Sequence, residues 1–94
     1  MSRMLNPTFC RRVLLMLTIS ELDRPSVPML MKTLGWPRRT VQDVIKALAG
    51  MGVEVSFIED GVRHNDGYYQ VSDWGSVNQQ WVALHREQLQ QALL

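Results

Sequence analysis

The sequence predicts an α+β, mainly helical domain: three short helices, a two-stranded hairpin and a long last helix. Three observations carry that prediction. Apolar residues recur at helical spacing in three stretches before residue 50 and in one after residue 76. "VEVSFI" and "YYQVSDW" alternate like strands, with Asp60-Gly61 and Asp66-Gly67 as turn formers between them. The 94 residues suffice for one hydrophobic core and leave little room for a deep catalytic cleft. Residues 1–94 therefore form one domain, with 6–75 as core and hairpin and 76–94 as a helix for packing or pairing.

The first helix is expected from Pro7 to Ser20. Asn6 suits the N-cap, and Pro7 suits the first helical position because proline has no amide hydrogen to leave unpaired. Phe9, Val13, Met16 and Leu17 make its buried face, widened by Leu14 and Leu15, while Arg11 and Arg12 point away. A short second helix starts after Ser26 and ends at Gly35, a residue that readily takes the left-handed conformation. The third starts near Pro37, or somewhat later if Thr40 and Asp43 form a capping box. Val41, Val44, Ile45 and Leu48 form its inward stripe, and Gly50 and Gly52 end it. In the first strand Val53, Val55 and Phe57 face one way. The last helix is expected from Ser76 to the C-terminus, packed on the body through Val77, Trp81 and Leu84.

Composition excludes several classes. The formal net charge is +1, so a nucleic-acid role must rest on local charge. The longest apolar run near the start, Val13–Leu17, is far short of the roughly 20 residues that cross a bilayer. It is followed by Glu21, Asp23 and Arg24, unlike a cleaved leader, so the chain is expected to be soluble, unprocessed and cytoplasmic. The single cysteine, Cys10, lies in an apolar run and is expected in the core of a protein from a reducing compartment. His64 with Asp66 does not make a metal site, and no nucleophile, phosphate-loop or zinc-hydrolase motif is present. No enzyme, metal or cofactor is expected. Trp36, Trp74 and Trp81 are expected to be packing residues, with Trp36 locking the second helix on the third. One of Tyr68 and Tyr69 should be core and the other exposed.

Helices two and three, joined by a tight turn containing Gly35, make a helix-turn-helix, and a hairpin directly after them makes a winged helix. A helix that enters the major groove of DNA needs an apolar face to hold it on its domain and a second face of long polar donors. Arg38, Arg39, Gln42 and Lys46 meet the second need. Four basic residues and one acidic residue lie between Lys32 and Lys46, a local charge of +3. The expected DNA contacts are Arg38, Arg39, Gln42 and Lys46, with Thr40, Arg63 and Lys32 on the backbone.

"LGWPRRTVQDVIKALAGMGVEV" together with "GYYQVSDWGSVNQQWV" resembles a small family of largely uncharacterised bacterial winged helix-turn-helix proteins. The resemblance spans residues 8–85. It implies the winged-helix fold and DNA binding in transcription regulation.

The hairpin is unusual for a DNA-binding wing. From Val53 to Gly75 there are five acidic residues and one arginine, Arg63, a local charge of −4. Anionic groups are repelled by phosphate. The wing therefore either touches the backbone through Arg63 alone or serves another role. That charge favours a rival reading, a winged-helix module that binds protein and not DNA. A third reading is an effector sensor, but no residue names an effector. The last helix carries Leu89, Leu93 and Leu94 among glutamines. Val82, His85, Leu89 and Leu93 are expected to pair two copies in a homodimer, the alternative being a tail folded back on its own core.

Overall fold

The computed structural model describes residues 5–61 and 66–94. Arg63, His64 and Asn65, the expected donors of the hairpin tip, lie outside the described residues. The order is α1 (Pro7–Glu21), α2 (Val27–Leu34), α3 (Arg38–Leu48), a short 3-10 turn (Ala49–Met51), β1 (Glu54–Glu59), β2 (Gly67–Asp73), α4 (Gln79–Leu84) and α5 (Arg86–Gln91).

α1 is the shared wall of the molecule. Asn6 caps it by accepting from the Phe9 amide, and Pro7 opens it. Val13 to Leu17 are all buried, because α1 is covered on both sides. On one side Leu15, Met16 and Ile19 meet Val27 and Leu30 of α2, Val41, Val44 and Leu48 of α3, and Val53. On the other, Cys10, Val13, Leu14 and Leu17 meet Val82 and Leu89. Trp36, Trp74 and Val77 touch both groups. Cys10 is a buried free thiol, and burial pushes its pKa up. Phe9, expected in the buried face, instead sits half-exposed at the start of the helix, edge-on to Trp81 at 6.2 Å between centroids.

The α2–α3 turn is three residues, Gly35-Trp36-Pro37, with Gly35 in the left-handed region at φ 73°. α3 starts at Arg38, with Pro37 in the N-cap position, so Thr40 and Asp43 lie inside the helix and form no capping box.

β1 and β2 pair antiparallel, with Val55 opposite Val71 and Phe57 opposite Tyr69, and an irregularity between Glu54 and Val55. Val55, Tyr69 and Val71 pack on the core, and Phe57 lies edge-on to Tyr69 at 5.1 Å. The hairpin is tied to the body through the α1–α2 loop. The Tyr69 amide donates to the Pro25 carbonyl at 2.9 Å. Arg24 lies over the Tyr68 ring at 5.0 Å and makes a two-pronged pair with Asp60. Tyr69 is thus the core-side tyrosine and Tyr68 the outer one, half-buried under Arg24. At the base of the hairpin, Gly75 sits at φ 58° against the backbone of Gly52, and a Cβ there would stand 2.2 Å from the Gly52 carbonyl oxygen. Only glycine fits that crossing.

The Arg24 hydrogen bond holds the Asp60 carboxyl below the usual carboxylate range. A carboxyl whose folded pKa is depressed adds stability above its unfolded pKa and loses it as pH falls below about 4. The expected outcome is an acid limb of the melting-temperature profile, from about pH 4 downward, that is shallower in Asp60→Asn than in the parent. Superimposable profiles would mean that the pair adds nothing to the fold.

The tail departs most from the sequence expectation. It is two short helices, not one long one. Asn78 caps α4 by accepting from the Trp81 amide, and the Ser76 hydroxyl donates instead to the Met51 carbonyl at 2.7 Å. The break is at His85, φ −105° and ψ 16°. Its ring stacks on Trp81 at 4.2 Å, and Nδ1, 2.7 Å from the Trp81 carbonyl, carries the hydrogen because a carbonyl only accepts. After the turn, α5 packs on α1, and Arg86 pairs with Glu21. Val82 and Leu89, expected to face a second copy, are fully buried in their own domain. Leu93 packs on the same group, and His85 is spent on Trp81. Leu84, expected to pack inward, is 82% exposed.

Candidate nucleic-acid interface

α3 has the two faces that a recognition helix needs. Val41, Val44 and Leu48 are buried, and Ile45 is half-buried beside them. Arg38, Arg39, Gln42 and Lys46 are all exposed. At 100° per residue, Arg39 and Lys46 stand diametrically opposite the buried stripe, and Arg38 and Gln42 lie to one side of them. The helix therefore presents three cations and an amide as one surface.

The Arg39 guanidinium is 3.9 Å from the Asp43 carboxylate, with its side chain 92% exposed. Exposed pairs of this i,i+4 kind are worth only about 0.3–0.5 kcal/mol. Such a pair orients Arg39 without withholding it from a stronger anion. No side chain caps the start of α3, and its first turn holds no acidic residue. The first-turn amides and the positive end of the helix dipole thus face outward beside Arg38 and Arg39.

The structure brings some of the expected residues together and separates others. Arg38, Arg39, Gln42 and Lys46 share the exposed surface of one helix. Thr40 is half-buried and turned towards α1. Lys32 is exposed in the last turn of α2, a separate element. Arg63 lies outside the described residues.

Sequence reasoning missed a groove that α1 forms beside α3. Thr8, Arg11 and Arg12 stand at i, i+3 and i+4, one face of α1, and line an open groove of about 240 Å³. Thr40, Asp43, Val44 and Ala47, at the same spacing on α3, form its other wall. The spacing was visible in the sequence, but the packing of α1 against α3 that joins the two faces was not.

The solved structures include a DUF2131 family protein from Shewanella amazonensis SB2B that is similar to this chain. The identity is 37%, the TM-score 0.84, and the match covers 93% of this chain and 84% of the other. No curated protein matches. The model of the winged helix-turn-helix family matches residues 4–93, nearly the whole length. With an α2–turn–α3 unit, a hairpin after it and a polar outer face on α3, the chain belongs to the winged helix-turn-helix family.

Proposed function

We propose that this protein is a cytoplasmic transcription regulator that binds duplex DNA by laying α3 in the major groove. The observation that carries the reading is the exposed set Arg38, Arg39, Gln42 and Lys46 on the side of α3 away from its buried stripe. Arginine forks onto guanine, glutamine onto adenine, and lysine meets phosphate. A buried free thiol at Cys10 suits a reducing compartment, and no described helix is long and apolar enough to cross a membrane. The reading is one of binding, not catalysis.

The test is fluorescence anisotropy with duplexes from the region upstream of the protein's own gene, titrated from low to physiological salt. The expected result is binding that falls steeply with salt. An absence of binding at low salt would overturn the reading.

Acting as a homodimer is part of the proposal, because paired half-sites suit this class of protein. With Val82 and Leu89 committed to the core, we assign the second copy to the exposed apolar residues Phe9, Trp81 and Leu84. Sedimentation equilibrium is expected to show a dimer that Leu84→Asp dissociates. A parent protein that stays monomeric across the micromolar range would remove the second copy.

One observation favours the rival reading, a protein-binding module. The acidic hairpin exposes Phe57, which suits a protein partner better than phosphate. The pairing of Asp60 with Arg24 weakens that argument, since one of the five wing carboxylates already has its counter-charge. Salt separates the two readings, because an apolar interface is far less sensitive to it.

A further inference from the structure

We propose that the groove between α1 and α3 holds a backbone phosphate of the DNA, with Arg11 and Arg12 as its cations and Thr8 and Thr40 as hydroxyl donors. The proposal rests on the DNA-binding reading and adds a second element, α1, to the interface.

Four observations support it. First, the two walls are matched faces. Thr8, Arg11 and Arg12 come from one side of α1, and Thr40, Asp43, Val44 and Ala47 from one side of α3. Buried Val44 and the small Ala47 supply its apolar lining. The volume of about 240 Å³ equals the liquid volume of roughly eight waters, and the groove is open to solvent.

Second, Arg11 and Arg12 have no structural task of the usual kind. Both are half-buried. Among the described residues the ion pairs join Arg24 to Asp60, Arg39 to Asp43 and Arg86 to Glu21, and none involves Arg11 or Arg12. A half-buried arginine of this kind keeps its aliphatic stem on the body and its charged head at the surface, where an external anion can meet it.

Third, the groove is continuous with the recognition surface. Asp43 lines it and also receives Arg39, and Thr40 follows Arg39 in the chain. A strand running past the exposed face of α3 would meet the mouth of the groove next. Fourth, the charges favour an anion. Two arginines face one carboxylate, and that carboxylate is already shared with Arg39. Two hydroxyls supply the neutral donors that commonly accompany phosphate contacts.

The experiment measures the salt slope of DNA binding in the parent, Arg11→Gln/Arg12→Gln, Arg11→Lys/Arg12→Lys and Arg38→Ala/Arg39→Ala. Glutamine keeps most of the side-chain stem and removes the charge. Lysine keeps the charge, which suffices for a phosphate but not for a forked base contact. The expected result is a slope lowered by about 0.9 in the glutamine double variant, the value for one phosphate contact, and retained in the lysine variant. Single glutamine variants, each expected to lower the slope by part of that amount, serve if the double variant does not fold. An unchanged slope in the glutamine variants, with a lowered one in Arg38→Ala/Arg39→Ala, would overturn the groove and leave the role of α3 intact. A parent that binds no DNA would overturn both. An equal loss in the lysine and glutamine variants would mean that the arginines act through shape and not charge, which also overturns the proposal.

Discussion

Alanine at both Arg38 and Arg39 is expected to lower the salt slope of DNA binding by about 1.8 if both residues meet phosphate. These are the first two residues of α3, the end of a recognition helix that reaches base edges and the adjoining backbone. Each phosphate contact is worth about 0.9 in the slope. Over a fourfold rise in salt, the double variant should therefore lose about twelvefold less affinity than the parent. If one arginine forks onto guanine, the slope falls by only about 0.9. The sequence preference then relaxes at one base pair by about 1–3 kcal/mol. Both patterns place α3 at the DNA. The fold should not suffer, because both side chains are exposed and the Arg39–Asp43 pair is weak. An unchanged slope and affinity, with unchanged stability, would take α3 out of the interface.

The elements that were legible in the sequence are those whose signals are local. Asn6-Pro7, Ser26 and Gly35 each act within one turn of their own helix, and each does in the structure what its chemistry predicts. The polar face of α3 was legible for the same reason, since one helix carries all four of its residues. Three features were not legible. The pairing of Arg24 with Asp60 joins residues 36 apart in sequence, and neither side chain signals the other. The α1 wall of the groove depends on how α1 packs against α3, which spacing within α1 cannot give. The break at His85 is the third. "WVALHREQL" has no glycine or proline to stop a helix, and local propensity favours continuing through it. Tertiary packing prevails there. Beyond the turn at His85, Leu89 packs on Cys10, Val13, Leu14 and Leu17, in the same buried group as Val82.

Leu89→Ala is expected to cost about 2–5 kcal/mol, the range for emptying a buried leucine site. Leu89 is fully buried, and its neighbours are held by α1, which is also braced by α2 and α3 and cannot readily collapse into the gap. For a domain of this size the melting temperature should fall by on the order of 10 °C or more. The dependence on protein concentration distinguishes the two arrangements of the tail. If Leu89 packs inside its own chain, the loss in Leu89→Ala is the same at low and high concentration. If the leucine stripe instead joins two copies, the melting temperature of the parent rises with concentration, and the variant loses that rise. Leu84→Asp supplies the opposite case. With 82% of Leu84 in solvent, it should leave the stability of the monomer within about 0.5 kcal/mol and act only on pairing. A large loss in Leu89→Ala at every concentration, beside a neutral Leu84→Asp monomer, would establish that the tail completes the domain core and leaves the outer side of α4 open to a second copy.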